Sequence, residues 1–446
     1  MKRISFVQLI IFLSFCFPNL FFALNIERDT LSNGFVILLS EAHKIPMVEL
    51  KVIVRAGSIF DPAGKDGIAN FVARMLIKGT KLHTGDELMA RVENFGANLD
   101  ASAREDYAEL SGRALTKDLP LLLETISECL IQPLFDTVEF RRLQKRTYSE
   151  IISQMDDPFY IGQVEFRSLL FGAHPLNHDP LGFDSTVHNI TIADVKDFYN
   201  KYYAPNNAII VVVGDFSRDS IMELIKKYFV IWQRKEIPVQ EMKTPLISGK
   251  KGLIIKKDIS QSYIFLGFPG PDYHAKDWIP ARIMNYILGG SGLTSRFATE
   301  IREKRGLAYS AFSFFNRFNY GGYFIAGVQT KNESANEAIS LIIQELRRMS
   351  QEISIAELTR AKKYYTGNFP LNFDTYREMA GFLTRIEIEG LGLDYPDKFD
   401  SLISAVGLDD IKESARKYLH PDDFCLVIVG NIDKEMIQIE GIDWIR

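Results

Sequence analysis

The strongest constraint on the fold is that the chain repeats itself. The segment TIADVKDFYNKYYAPNNAIIVVVGD at 191–215 aligns without a gap with GLDDIKESARKYLHPDDFCLVIVGN at 407–431. Each copy reads as an acidic helix start, an amphipathic helix, a turn with proline and an apolar strand that ends at glycine or just before it. Six identical pairs recur at a constant spacing: Asp194/Asp410, Lys196/Lys412, Lys201/Lys417, Tyr202/Tyr418, Pro205/Pro421 and Gly214/Gly430. This repeat predicts two homologous domains, the alternative being a common helix–turn–strand unit that occurs twice by chance.

The repeat predicts an N-terminal domain at 24–239 and a C-terminal domain at 240–446. Between them, 233–252 is polar and holds two prolines and two glycines, which is typical of a linker. Strand-like runs such as Val48–Arg55 alternate with helical patterns such as Ser334–Arg348, in which Ser334 and Glu337 predict a capping box. We therefore expect an α+β fold of two homologous domains, each a β-sheet with helices packed on it.

Composition excludes some classes of function. The 446 residues carry a net charge of −5, spread without a long run of one sign, so the sequence lacks the basic stripe of a nucleic-acid-binding protein. Cys129 and Cys425 lie in apolar stretches of different domains. That setting predicts two buried thiols rather than a disulfide or a cysteine zinc site.

The N-terminal segment 1–23 reads as a secretory signal peptide. Met1-Lys2-Arg3 is followed by a mostly apolar run from Ile4 to Phe17, and the segment ends at the small residue Ala23. We expect the protein to be exported, in a bacterial periplasm. An uncleaved N-terminal membrane anchor and a buried N-terminal strand remain as alternatives, and contact with a membrane is expected only if the segment stays uncleaved.

The segment 54–80, VRAGSIFDPAGKDGIANFVARMLIKGT, resembles the start of the pitrilysin/insulinase metallopeptidases, the inverzincins. In that family a helix carries H-x-x-E-H, whose histidines hold Zn²⁺ and whose glutamate activates a zinc-bound water. The flanking residues match, but the motif itself reads Asn70-Phe71-Val72-Ala73-Arg74. Asn70 and Arg74 stand at the histidine positions, and Ala73 stands at the glutamate position. The resemblance therefore implies that this chain has no catalytic residues of its own.

The resemblance also places Glu150 at the position of the family's further zinc ligand, on a neighbouring helix. One carboxylate cannot hold zinc, and we expect Glu150 to pair with Arg74 instead. No metal is expected in this chain, and zinc is expected in a partner subunit. His174 and His178 lie in a loop rich in glycine and proline, so we do not expect a substitute metal site there.

In the C-terminal half, LGGSGLTSRFATEIREKRGLAY at 288–309 also resembles the family. The resemblance implies that Arg302 and Tyr309 reach across a clamshell to bind the peptide substrate. Arginine can donate two hydrogen bonds to a carbonyl or carboxylate, and a tyrosine hydroxyl can stabilise an oxyanion. The alternative is that Arg302 lies on a solvated helix face and Tyr309 is a core or strand residue. The glycines at 289, 290 and 292 lack the lysine of a phosphate loop and predict a helix end.

These features predict the non-catalytic subunit of a heterodimeric zinc peptidase. Its expected partners are a homologous subunit with H-x-x-E-H intact and a peptide substrate, whereas nucleic acid is not expected. The alternative function is a stand-alone peptide-binding or scaffolding module without peptidase activity.

Overall fold

The computed structural model describes residues 25–239, 242 and 247–445. The predicted signal peptide at 1–23 lies outside these residues, as does the predicted domain junction after residue 239. Export, cleavage and the boundary therefore stay predictions. Within the described ranges, no helix is both long and apolar enough to cross a membrane.

Twelve strands in the described residues form two six-stranded sheets. The first sheet has the order β1-β2-β6-β3-β5-β4, and the second has the order β12-β7-β11-β8-β10-β9. The strands are β1 (Ile26–Thr30), β2 (Val36–Glu41), β3 (Met47–Val54), β4 (Asn98–Ala103), β5 (Ala108–Leu115), β6 (Ala208–Gly214), β7 (Lys250–Lys256), β8 (Gln261–Pro269), β9 (Ala308–Phe318), β10 (Gly321–Lys331), β11 (Phe424–Gly430) and β12 (Ile442–Trp444).

Helices surround both sheets. In the first half they are α1 (Ile68–Met75), α2 (Gly85–Asn94), α3 (Leu119–Ile131), α4 (Thr137–Gln154), α5 (Pro158–Phe171), α6 (Asp184–Val187), α7 (Ile192–Tyr202) and α8 (Arg218–Phe229). In the second half they are α9 (Trp278–Asn285), α10 (Ala335–Met349), α11 (Ile355–Asn368), α12 (Tyr376–Glu389), α13 (Tyr395–Ala405) and α14 (Leu408–Tyr418). The predicted α+β class, with one sheet and its helices in each half, is confirmed.

The sequence repeat corresponds to a repeat of topology. Helix α7 leads into β6, and α14 leads into β11, so both copies are a helix followed by a central strand. Strand β6 runs parallel to β2 and antiparallel to β3, and β11 runs parallel to β7 and antiparallel to β8. The outer strands differ: β1 is antiparallel to β2, whereas β12 comes from the end of the chain and runs parallel to β7.

Each half supplies a helix that covers the sheet of the other half. Helix α5 of the first half packs on β8 and β11 of the second sheet, and α12 of the second half packs on β3 and β6 of the first. Phe166 of α5 belongs to the same buried cluster as Phe265 and Val427, and Leu383 of α12 belongs to the same cluster as Ile53. The two halves therefore share their cores instead of meeting only at a polar interface.

Close packing of α5 on the second sheet depends on a glycine. A Cβ atom built on Gly162 would lie 2.1 Å from Cε2 of Phe265, far inside van der Waals contact. On the covering helix of the other half, a Cβ atom on Gly381 would meet nothing within 4 Å. Of these two positions, only Gly162 must be glycine for the helix to pack closely on the sheet.

The capping box predicted at Ser334 is wrong. Residues Asn332–Ser334 already form a 3₁₀ turn that runs into α10, so Ser334 has φ −94° and ψ −1° and its side chain makes no cap hydrogen bond. A capping serine needs extended backbone to point its hydroxyl at the amides of the first turn. The predicted state of Cys129 and Cys425 is confirmed, since both are free and buried.

Candidate functional site

Helix α1 carries the five positions of the degenerate motif, and a buried carboxyl group fixes its start. Asp61 is fully buried and accepts hydrogen bonds from the amides of Gly67 (2.6 Å) and Ala69 (3.0 Å). Burial raises the pKa of Asp61 well above its ordinary range. Gly67 has φ 103°, a conformation that favours glycine, and it precedes the first helical residue. The motif is therefore held on a rigid and well-buried helix.

Asn70, at the first histidine position, is 5% exposed and bonds to a strand edge. Its Oδ1 accepts a hydrogen bond of 3.3 Å from the amide of Ala103 in β4, one of the two outer strands of the first sheet. The amide of Ala103 therefore points away from β5. Because amides along an antiparallel strand alternate in direction, those of Leu99 and Ala101 also face outward. The Asn70 side chain thus ties one end of the free edge of β4 to α1.

Arg74, at the second histidine position, forms the predicted pair with Glu150. Its Nη1 and Nη2 donate hydrogen bonds of 2.8 and 3.1 Å to the two carboxylate oxygens of Glu150, and Nη1 also lies 3.2 Å from the hydroxyl of Thr147. Arg146 adds a further hydrogen bond of 3.0 Å to Glu150. These hydrogen bonds, chiefly those donated by Arg74, lower the pKa of the Glu150 carboxyl. A fork-to-fork pair of this kind is among the stronger contacts between side chains.

These side chains do not fit a zinc ion. Arg74 brings a permanent positive charge, the Asn70 carbonyl oxygen is already bonded to Ala103, and Ala73 is fully buried without a polar side-chain atom. The Glu150 carboxylate is already bonded to two arginines, Arg74 and Arg146. Across the part of the chain that the structure describes, no group of three or more His, Cys, Asp or Glu side chains could hold a metal ion.

Beside the ion pair lies a cavity of about 310 Å³ with mixed charges. It opens between α1, α4 and β4, and its polar lining consists of Arg74, Lys78, Asp100, Glu139, Arg142 and Arg146. Because Asp100 belongs to β4, the cavity adjoins the free edge of the sheet. A peptide laid along that edge would pass over this cavity.

Arg302 and Tyr309 are close together in the second half. The guanidinium carbon of Arg302 lies 5.1 Å from the centre of the Tyr309 ring, which is a cation–π contact. Tyr309 is 82% exposed and lies near the start of β9, one of the two outer strands of the second sheet. It is a strand residue, but it is not part of the core. Among the described residues, no carboxylate lies within ion-pair distance of Arg302. Within the described ranges, no hydrogen bond or ion pair connects these two residues to Arg74 or Glu150.

The loop with His174 and His178 packs against the segment that leads into the motif helix, and among the described residues it belongs to no cluster of three or more metal-binding side chains. His178 is 1% exposed, and its Nε2 lies 3.6 Å from Oδ1 of Asp66 and 4.0 Å from Oδ2 of Asp61. Burial lowers the pKa of His178. His174 turns back on its own loop, where its Nδ1 accepts a hydrogen bond of 3.1 Å from the amide of Leu176. The two histidines thus have different neighbours.

The glycines at 289, 290 and 292 lie in turns, as predicted. Residues 286–290 form a wide π-helical turn after α9, and 292–294 form a 3₁₀ turn. A Cβ atom on Gly289 would lie 2.4 Å from the hydroxyl oxygen of Ser313, which explains the need for glycine by packing.

Neither the role of Asp61 nor the edge positions of β4 and β9 could be predicted from the sequence. The only sequence signal for β4 is the alternation in NLDASA, where Leu99, Ala101 and Ala103 point inward. That alternation predicts a half-buried strand but does not say whether it lies at an edge. Asp61 precedes the first residue of α1 by seven positions, which is too far for an ordinary capping pattern.

The comparisons with known proteins agree with this geometry. Residues 36–163 match the family model described as insulinase (peptidase family M16), and residues 189–365 match the one described as peptidase M16 inactive domain. The chain is 30% identical over 392 residues to the zinc protease PqqE of Helicobacter pylori, across 84% of this chain and 86% of that protein. It is 22% identical over 403 residues to the non-peptidase homolog YmxG of the same organism, across 90% and 92%.

A solved structure supports the fold over nearly the whole chain. The crystal structure of a peptidase M16 inactive domain from Pseudomonas fluorescens superimposes with a TM-score of 0.85 and 25% identity, across 91% of this chain and 98% of that one. The arrangement of two sheet-and-helix domains as a clamshell is thereby confirmed. With both halves matched and the sequence similarity extending over most of PqqE, this chain belongs to the M16, or insulinase, family of peptidases.

Proposed function

We propose that this chain is the non-catalytic subunit of a heterodimeric zinc peptidase, in which it contributes to binding of the peptide substrate. The observation that carries the proposal is the bidentate pair between Arg74 and Glu150 at the family's metal position. In the same chain, Arg302 and Tyr309 remain in contact with each other at the surface. The site has thus exchanged its metal chemistry for an ion pair and has kept groups suited to holding a peptide.

The Arg74–Glu150 pair argues against peptidase activity of the chain alone. Hydrolysis of a peptide bond needs an activated water and a group that can take up its proton. Ala73 offers no such group, and the guanidinium of Arg74 is engaged as a hydrogen-bond donor to Glu150. Glu150 accepts hydrogen bonds from two arginines, which favour its ionised form and make it a poor base.

Peptide binding is supported by one feature in each half of the chain. The outward amides of Leu99 and Ala101 in β4 can pair with an extended peptide, which would add a strand to the first sheet. In the second half, Arg302 has no carboxylate partner among the described residues and can donate hydrogen bonds to a peptide carbonyl or carboxylate. Both features are polar groups whose hydrogen-bonding capacity the fold leaves free.

A division of labour between two chains is supported by the relatives. Helicobacter pylori has one relative called a zinc protease and another called a non-peptidase homolog. This chain has lost the residues that a zinc protease of the family requires. Zinc would then belong to the partner subunit. Because the segment 1–23 reads as an export signal, we place the complex in the periplasm of a bacterium.

The test is a native pull-down of the tagged protein from its own cells, followed by assay of the complex on a set of peptides. We expect a homologue with H-x-x-E-H to co-purify at near one-to-one ratio. Within that complex, Arg302→Ala should raise KM several-fold, and Tyr309→Phe should lower kcat or raise KM. Arg305→Ala, which changes a neighbouring arginine already paired with Glu300, is the matched control.

A second function, a stand-alone peptide-binding module, is favoured by the free edge of β4 alone. It predicts that the purified chain binds extended peptides without any partner, and that the pull-down recovers only a monomer or a homodimer. Repeated recovery of the lone chain would overturn the subunit proposal and leave this one. The sequence of the mature N-terminus, read from periplasmic protein, would test the export signal separately.

A further inference from the structure

A second cavity, on the first domain, has the features of a ligand site. It has a volume of about 490 Å³ and lies between the C-terminal end of α3, the face of α7 and the segment that follows α8. It does not adjoin the Arg74–Glu150 pair, and none of its lining residues lines the cavity beside that pair. Its volume falls within the range of pockets that bind small molecules, about 300–1,000 Å³.

The charges around this cavity have one sign. Three lysines line it (Lys81, Lys196 and Lys235), and no carboxylate does. Within the described part of the chain, the side chains of Lys81 and Lys196 are exposed and form no ion pair. Three like charges around one concave surface raise the local concentration of anions.

Lys235 is the most constrained of the three cations. Its ammonium donates hydrogen bonds to the carbonyl oxygens of Asn200 (2.9 Å) and Tyr203 (3.0 Å) and lies 5.3 Å from the centre of the Tyr199 ring. An ammonium has three donors, so these two hydrogen bonds leave one for another acceptor. Burial lowers the pKa of Lys235, and an anion bound beside it would offset that effect by favouring the charged form.

The rest of the lining is apolar and firmly held. Ile131, Leu134, Phe135, Ile231 and Trp232 supply aliphatic and aromatic surface, with Leu134 44% exposed and Ile231 62% exposed. Phe135 has φ 50°, which makes it the one residue other than glycine with a positive φ among those described. Such strain persists only where surrounding contacts enforce it, and it occurs most often at functional sites.

Two contacts enforce that backbone conformation. The amide of Leu134 donates a hydrogen bond of 3.0 Å to the carbonyl of Gly79, and the ring of Phe135 packs edge-on against Tyr199 at 5.1 Å. On the other side, the amide nitrogen of the Asn33 side chain bonds to the carbonyl of Trp232 at 3.0 Å. The cavity is therefore preorganised, which reduces the entropic cost of binding.

We propose that this cavity binds a small organic anion that carries an apolar body, with its acidic group among Lys81, Lys196 and Lys235. The apolar body lies against Leu134, Phe135 and Ile231. The proposal is independent of the peptidase partnership, because the cavity is built from the first domain of this chain alone. A concave pocket of this size suits a free small molecule better than the flat surface of a folded protein.

The experiment is isothermal titration calorimetry of the purified chain with decanoate, kept below the concentration at which it forms micelles. We expect one decanoate per chain. Acetate has the charge without the apolar body, and decyltrimethylammonium has the same alkyl chain with the opposite charge. Both should bind at least ten times more weakly than decanoate.

Substitutions of the lining residues test whether decanoate binds in this cavity. The double substitution Lys81→Glu with Lys196→Glu should weaken decanoate binding at least tenfold, and Leu134→Ser should weaken it at least threefold. The matched control is Lys117→Glu with Lys331→Glu, two exposed lysines outside the cavity, which should leave the affinity unchanged. Unchanged affinity in the first double variant, or equal binding of decyltrimethylammonium, would overturn the proposal. An absence of any decanoate binding would do the same.

Discussion

At the scale of single residues, the central feature is a carboxylate that has changed partners. Glu150 stands on α4 where the family places a zinc ligand, and here it holds Arg74 with two hydrogen bonds. The side chain of Arg74 is 17% exposed and that of Glu150 is 33% exposed, so water screens the pair only in part. A pair of this kind stabilises a fold by more than an exposed one, yet by less than its Coulomb energy in a dry interior.

Glu150→Gln should reduce the free energy of unfolding by about 1 kcal/mol at pH 7. The folded-state pKa of Glu150 is lowered, so its stabilising effect is present above the ordinary value of 4.5 and is lost as the pH falls through the folded-state value. The difference between variant and wild type, measured by urea unfolding, should therefore vanish in acid. Glu139→Gln on the same helix, where the partner Arg142 is 71% exposed, is the control and should change little. A cost for Glu150→Gln that does not decrease at all as the pH is lowered would contradict the ion-pair explanation.

The resemblance to the family allowed Arg74 and Glu150 to be predicted as a pair, because it places both residues at one metal position. It could not predict the hydrogen bond between Asn70 and Ala103. That contact depends on which strand forms the edge of the sheet, and the local alternation of polar and apolar residues is the same for edge and inner strands. For the same reason, the cavity beside the pair could not be predicted.

At the scale of elements, helix α5 shows how tightly the halves are packed. Gly162→Ala would place a methyl group 2.1 Å from the ring of Phe265, so either the helix or the ring must move. We expect a loss of about 1–3 kcal/mol in the free energy of unfolding, which is typical of overpacking. Thermal and urea unfolding would both measure it.

Gly381→Ala on α12 is the matched control, because its added methyl group meets nothing within 4 Å. Alanine is a better helix former than glycine, so this variant should be neutral or more stable by up to about 1 kcal/mol. Equal effects of the two substitutions would show that the contact with Phe265 does not limit the packing of α5.

The elements also show where prediction from the sequence ends. Strands β3, β6, β8 and β11 could all be predicted as apolar runs, and the repeat predicted the equivalence of β6 and β11. The apolar face of α5 predicts that this helix is buried but does not say on which sheet. The exchange of covering helices depends on contacts between residues more than a hundred positions apart, such as Phe166 and Val427 in one buried cluster.

At the scale of the whole molecule, a buried carboxyl group links the two halves. Asp106, in the turn between β4 and β5, accepts a hydrogen bond of 3.1 Å from the amide of Asn319 in the turn between β9 and β10. Tyr273 also bonds to Asp106, and Glu105 and Glu389 are the nearby acidic groups. Burial, more than these neighbours, raises the pKa of Asp106 from 3.8 to about 6.

The raised pKa predicts a pH dependence of stability. The pKa of Asp106 is higher in the folded state than in the unfolded state, so the fold is most stable when Asp106 is protonated. This contribution to the free energy of unfolding is fully present below pH 3.8 and is lost as the pH rises through about 6. Asp106→Asn keeps an oxygen acceptor for Asn319 but has no charge. It should be more stable than wild type above pH 7 by about 2–3 kcal/mol and should remove this part of the pH profile. Asp197→Asn, an exposed change on α7, should leave the profile as it is. An unchanged profile in Asp106→Asn would contradict the assignment.

The exchange of covering helices also governs the order in which the chain can fold. All strands of the first sheet have been made once β6 ends at Gly214. The face of that sheet on which α12 (Tyr376–Glu389) packs stays exposed until α12 has also been made. Newly made chain, whether it leaves a ribosome or a translocation channel, thus displays an apolar surface throughout the interval in which the second half appears. Such surfaces are the targets of chaperones and the starting points of aggregation. We therefore expect this fold to need a chaperone that covers the first domain until the second has been made. A truncated first half should be recovered mainly as aggregate.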